Sequence, residues 1–167
     1  IPAERCSYIL GNPPFLGKSN QSTAQKTDMQ LVCGNIKNAG LLDFVAAWYI
    51  KATRYIQSNN KIRCAFVSTN SITQGEQVGV LWSWMLTQGV KIHFAHRTFS
   101  WSNEARGKAA VHCVIIGFGI QEVTNKIIYE YEDIKGEPHA VKANNINPYL
   151  TDAPNLVIMP RTSPICK

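Results

Sequence analysis

Short apolar runs alternate with polar punctuation along this chain, and the period of each run assigns an element. Residues 7–10, Ser-Tyr-Ile-Leu, read as a strand ending at Gly11. Residues 16–40 are polar, with Lys18, Lys26 and Lys37 spread through them, and Ser22 is placed to cap a short helix that stops near Gly34. After Asp43, Phe44, Ala47, Trp48, Ala52, Tyr55 and Ile56 recur at helical spacing, which predicts an amphipathic helix ended by Asn59 and Asn60. "IRCAFVSTN", residues 62–70, is almost continuously apolar, as in a strand covered on both faces. Thr73 with Glu76 three residues on has the form of a capping box, opening a helix to about Gln88 that Gly89 closes. "VKIHFAHRTF" (90–99), "AAVHCVIIGFG" (109–119) and "KIIYEYE" (126–132) complete the strands.

Strands that alternate with helices and then follow one another predict an α/β sheet with an antiparallel edge. After about residue 137 the periodicity stops. "NNINPYLTDAPNLVIMPRTSPICK" is rich in Asn, Pro and Thr and reads as a linker. The 167 residues, 45% apolar, suffice for one ordinary domain with a packed core. No run of 18 apolar residues exists, so no membrane helix is expected. The start, Ile-Pro-Ala-Glu-Arg-Cys, has neither an initiator Met nor a signal-peptide core, and reads as a cut inside a longer protein.

Seventeen Lys and Arg against eleven Asp and Glu give a net charge of +6, which favours a polyanionic partner such as nucleic acid. Cys6, Cys33, Cys64, Cys113 and Cys166 are widely spaced and form no C-x-x-C. They fit small buried hydrophobes in a reducing cytoplasm, so a cytoplasmic location is expected. His93 and His96, three apart on a strand, would face opposite sides, and no metal site is expected.

The chemistry concentrates at Asn12-Pro13-Pro14-Phe15, directly after the first strand. Ligands of open α/β sheets bind outside the carboxyl ends of the strands, where this tetrapeptide sits. The two prolines fix φ and stiffen the loop. The Asn12 amide and the Pro13 carbonyl offer two acceptors, and Phe15 a flat apolar face. That set suits an exocyclic amino group on a planar base. Accepting both its hydrogens frees the nitrogen lone pair, a stabilisation that grows towards the transition state. Phe15 would stack on the base, a contact worth ~1–3 kcal/mol. A base inside duplex DNA must be flipped out to reach such a pocket. The bland alternative is a proline turn, but Asn-Pro-Pro-aromatic arises by chance in roughly one chain of this length in a thousand.

Asn-Pro-Pro-Phe after an apolar strand resembles the catalytic motif of amino-methyltransferases that modify adenine N6 in DNA. Together with "GNPPFLGKSNQSTAQKTDMQLVCGNIKNAGLLDFVAAWYIKATRYIQ", "AFVSTNSITQGEQVGVLW" and "GVKIHFAHRTFSWSNEARGKAAVHCVIIGF", it makes residues 8 to about 119 resemble the MmeI-like (type IIL) restriction–modification enzymes. "INPYLTDAPNLVI" looks like the approach to their target recognition domain.

The resemblance implies a partial Rossmann-like class I fold that uses S-adenosylmethionine. It implies the catalytic half of a methyltransferase domain in residues 1–137, and a linker into a target recognition domain in 138–167. Asn12, Pro13, Pro14 and Phe15 would be catalytic, with Phe99 or Trp101 as an aromatic wall opposite Phe15. Asn12, Leu42, Asp43 and Phe44 would lie at the cofactor. Lys18, Lys26, Arg106 and Lys108 would meet the phosphates of double-stranded DNA. The family's Gly-rich cofactor loop precedes the motif, yet only eleven residues precede Asn12, and Gly117-Phe118-Gly119 ends a strand with no helix after it. The partners implied are therefore an N-terminal cofactor-binding half and a C-terminal recognition domain of the same chain, and the isolated piece is expected to be inactive. Asn at the first motif position goes with adenine in the family, whereas Ser is usual in cytosine-N4 enzymes. RNA and glutamine-side-chain methyltransferases share the motif. A non-catalytic nucleic-acid-binding module built on the basic loop at 16–40 is the alternative of a different class.

Overall fold

A computed structural model describes residues 1–101 and 111–158. Six strands form one mixed sheet: β1 (Tyr8–Gly11), β2 (Arg63–Thr69), β3 (Lys91–Trp101), β4 (Val111–Gly119), β5 (Lys126–Glu130) and β6 (His139–Ala143), in the order β1-β2-β4-β3-β5-β6. β1 runs parallel to β2, and β3 parallel to β5, while β4 is antiparallel to both its neighbours. The antiparallel element is thus interior as well as at the edge, where β6 pairs with β5. Chain length explains it. Parallel neighbours need a crossover of about a dozen residues or more. The connection 102–110 is too short, so β4 must run back beside β3 and slot against β2.

The crossover from β1 to β2 carries α1 (Thr23–Cys33) and α2 (Ala46–Ile56). Ser22 Oγ accepts from the Gln25 amide and Gln25 Oε1 accepts from the Ser22 amide, so the expected cap is a full capping box, and Gly34 ends the helix at φ 56°. Arg54 on α2 donates to the Val32 and Cys33 carbonyls, satisfying acceptors that the end of α1 leaves open, and lies 5.5 Å over Trp84.

The core face of α2 differs from the stripe its sequence predicts. Val45, Tyr49, Ile50 and Ile56 are fully enclosed against the sheet, whereas Phe44, Trp48 and Tyr55 are only half-buried. This helix is apolar around most of its circumference, so periodicity alone does not choose its inner face. Tyr49 stacks on Phe118 at 5.4 Å and meets Phe66 edge-on, and its hydroxyl lies 2.7 Å from Ser68 Oγ. β2 correspondingly buries Cys64, Phe66 and Ser68, while Ala65, Val67 and Thr69 on its other face are half-covered. The near-continuous apolar run is therefore covered fully on one face only.

The helix after β2 starts later than expected. Thr73 Oγ1 donates to the Asn70 carbonyl within a 3₁₀ turn (Asn70–Thr73), and no side chain caps the following helix. α3 (Gly75–Gln77), entered through Gly75 at φ 54°, a π-helical turn (Val78–Trp82) and α4 (Ser83–Thr87) then follow without a break, the junction residues Gln77, Val78, Trp82 and Ser83 all in right-handed helical dihedrals. Gly89 closes them at φ 78°.

The ordered sheet also runs past residue 137. β6 has an exposed, unpatterned sequence, but it pairs with β5 over five residues. Beyond it Ile146 and Leu150 are buried, and the Asn147 side-chain oxygen accepts from the Tyr149 and Thr151 amides and the Thr151 hydroxyl. The linker placed at 138 by its composition is therefore structured to at least Asp152, whose carboxylate caps the Asn144 and Asn145 amides. Cys33, Cys64 and Cys113 are buried free thiols, and burial pushes Cys64 up to about 12 and Cys113 to about 11. No helix among the described residues is long and apolar enough to cross a membrane.

Candidate active site

Pairing sets one level row across the sheet, Gly11–Phe66–Ile116–Ala95–Ile128–Val141. Asn12 leaves the sheet one residue above that row, at the carboxyl end of β1. It is exposed, Pro13 is buried, Pro14 is exposed and Phe15 is half-buried. Asn12, Pro13 and Pro14 open onto a groove of about 1010 Å³ between β1, α1 and α2. Its far wall is aromatic: Phe44 and Trp48 meet edge-to-face at 5.3 Å, and Phe66 closes the floor. Phe15 is not part of the groove lining.

The turn that heads α2 divides its three candidates. Phe44 faces the groove. Leu42 is enclosed, and its carbonyl accepts from Gln21 Nε2. The Asp43 carboxylate turns to the Lys18 amide (3.0 Å) and to Ser71 Oγ (2.6 Å). Asn12, Pro13, Pro14 and Phe44 are thus brought together, while Leu42 and Asp43 hold the loop from behind.

Phe99 and Trp101 sit at the same end of the sheet as Asn12, because β3 runs parallel to β1. β2 and β4 lie between them, which separates the strand axes by roughly 14 Å. Phe99 stacks on Tyr131 at 5.4 Å, and the Trp101 ring, 38% exposed, lies 6.2 Å from that of Phe99. His96 completes this cluster, stacked on Tyr129 at 4.2 Å with Nδ1 2.8 Å from the Tyr131 hydroxyl. Burial holds His96 and His93 below the usual histidine range, and His93 Nε2 meets the Gln121 carbonyl.

Lys18 and Lys26 are exposed on the loop and on α1, and both border a second, smaller cavity of about 380 Å³. Arg106 and Lys108 lie outside the described residues. Helical spacing puts Trp48 on the core stripe of α2 rather than in the site, and no local pattern marks Ser71 or Gln77. No group of three or more potential metal ligands occurs among the described residues.

An interleaved α/β sheet with Asn-Pro-Pro-Phe at the carboxyl end of a parallel strand, opening on an aromatic-walled groove, defines part of a Rossmann-like methyltransferase fold. The chain belongs to the MmeI DNA-methyltransferase domain family, whose model matches residues 2–130. It is 42% identical over 159 residues to DNA methyltransferase A of Bacillus subtilis (strain 168), covering 95% of this chain and 17% of that protein. It is also 63% identical, with a TM-score of 0.96, to the Type IIL restriction-modification enzyme MmeI solved in complex with DNA, covering all of this chain and 22% of that one. The chain therefore spans about a fifth of the length of these relatives.

Proposed function

We propose that this chain forms the catalytic portion of a DNA methyltransferase within a restriction–modification enzyme, transferring a methyl group from S-adenosylmethionine to N6 of an adenine flipped out of double-stranded DNA. The observation that carries this is the exposed Asn12 amide, set beside Pro13 and Pro14 at the mouth of the groove walled by Phe44 and Trp48, in a chain of this family. Asn12 Oδ1 and the Pro13 carbonyl accept the two hydrogens of the adenine amine. This concentrates the lone pair on nitrogen and stabilises the positive charge that grows there on attack. Phe15 stacks on the base, with Phe99 or Trp101 as the facing wall.

The groove fits one side of a cofactor site. Its volume suits a nucleoside-sized ligand, and Phe44 offers an apolar face beside Asn12. S-adenosylmethionine, when bound, supplies an electrophilic methyl. The remaining wall, in this reading, comes from a cofactor-binding half that precedes this segment, and the segment 138–167 leads towards a target recognition domain. The exposed Lys18 and Lys26, with Arg106 and Lys108, contact backbone phosphates, which gives the site its salt dependence without sequence choice.

The test uses the natural chain around this segment, DNA and labelled S-adenosylmethionine, with the product digested to nucleosides. Label in N6-methyladenosine that disappears in Asn12→Ala, with DNA binding kept, is the expected result. Label in N4-methylcytosine would overturn the base assignment. DNA binding with no label would favour a binding module.

A further inference from the structure

The proposed reaction needs Asn12, the Pro13 carbonyl and Phe15 in one fixed geometry, yet residues 12–17 belong to no helix or strand. Their upstream end is pinned where Gly11 pairs with Phe66. We propose, resting on the methyl-transfer reading, that Asp43 is the positioning residue that pins the downstream end of the catalytic loop, acting on the loop backbone and not on the cofactor.

Asp43 is 8% exposed and every polar atom of its head is committed. Oδ1 accepts from the Lys18 amide at 3.0 Å, Oδ2 accepts from Ser71 Oγ at 2.6 Å, and its own amide donates to Gln77 Oε1 at 3.0 Å. The residues on either side reinforce the same grip. The Phe44 amide donates to the Leu16 carbonyl at 2.9 Å, and the Leu42 carbonyl accepts from Gln21 Nε2 at 3.1 Å. One turn at the head of α2 therefore holds the loop at residues 16, 18 and 21.

The direction of the network is also fixed. A carboxylate only accepts, so the Ser71 proton goes to Asp43 and Ser71 Oγ is left to accept from Thr69 Oγ1, 2.7 Å away. Thr69 ends β2. Asp43 thus ties the loop after β1, the end of β2, and α3 to one point. With both ends anchored and Pro13 and Pro14 limiting φ between them, the loop has few conformations left. Near-attack geometry is sensitive to displacements of about 1 Å, so loosening this anchor is felt at Asn12 although Asp43 lies behind it.

Substitutions separate this role from cofactor contact. Asp43→Ala removes both acceptors. Asp43→Asn keeps one oxygen for the Lys18 amide and turns an NH₂ towards Ser71, whose hydroxyl can rotate to accept it.

In the natural full-length chain, three readouts are taken: single-turnover methyl transfer to DNA, calorimetric affinity for S-adenosylmethionine, and amide exchange over residues 11–21. Asp43→Ala should slow transfer on the order of 10–100-fold. Exchange of the 16–21 amides should quicken at least about tenfold, cofactor affinity should stay within about threefold, and Asp43→Asn should restore most of the rate. If Asp43→Ala does not fold, Ser71→Ala should give the same pattern at smaller amplitude. Unchanged exchange would overturn the proposal, as would affinity falling in step with rate. A wild-type chain inert towards DNA, whose loop still loosens in Asp43→Ala, would uphold the anchor and sink the methyl-transfer reading.

Discussion

The hydroxyl pair Tyr49–Ser68 offers the sharpest quantitative test of how α2 is fixed to the sheet. Both residues are fully buried, their oxygens are 2.7 Å apart, and burial pushes the Tyr49 phenol up, keeping it protonated. Tyr49→Phe leaves Ser68 Oγ in the core without its partner, and Ser68→Ala does the same to the phenol. Each orphan costs about 1–3 kcal/mol. The double variant loses one hydrogen bond but strands nothing, a net cost of about 0.5–1.5 kcal/mol. Urea unfolding of all four chains should therefore show the double variant well short of the sum of the singles. Coupling below about 0.5 kcal/mol would mean that the two sites act independently, and would refute the argument.

Three further outcomes follow from the packing. At Gly117 an added Cβ would fall 2.0 Å from the Phe94 ring, so Gly117→Ala should cost about 1–3 kcal/mol, and Phe94→Leu should recover part of it in thermal melts. Burial lowers the His93 and His96 affinity for protons below that of the unfolded chain, near 6.5. The unfolded state then binds more protons as pH falls through 6.5, so stability should decline there, and His96→Phe should flatten that decline in pH-dependent urea midpoints. Glu122, held at about 2 by the Lys126 ammonium and then Lys91, contributes stability above its ordinary 4.5 that is lost as pH falls towards 2; Glu122→Gln should remove this acid-side component.

The sequence carried most of the elements but few of the partnerships between them. Ser22 and Gly34 mark α1 because capping chemistry is local, and the prolines after Gly11 mark the loop for the same reason. Thr73 and Glu76 copied that local signature without its geometry: Thr73 ends a 3₁₀ turn, and Gln74, extended at φ -136° and ψ 156°, stands before the helix in its place. β6 was illegible since an exposed edge strand needs no apolar alternation, and its order comes from β5. The candidate site divides in the same way. The motif singles out Asn12 to Pro14 and the resemblance adds Phe44, and the structure sets these four on one groove. The distinction between Phe44 in the groove and Asp43 behind it depends on Ser71 and Gln77, residues 28 and 34 positions away. No local pattern encodes a bond of that span.

The place of β4 also imposes an order in time. As the chain emerges from the ribosome, β2 and then β3 appear before the strand that separates them. They cannot complete the sheet by pairing with each other, because the final register reserves a gap of one strand between them. Until residues 111–119 arrive, both hold unpaired backbone edges beside an unfinished core, the condition in which nascent chains aggregate or recruit chaperones. The anchors of the Asn12 loop all lie within residues 11–77 and are available before then, whereas Phe99 and Trp101 take their place across the sheet only when β4 fills the gap.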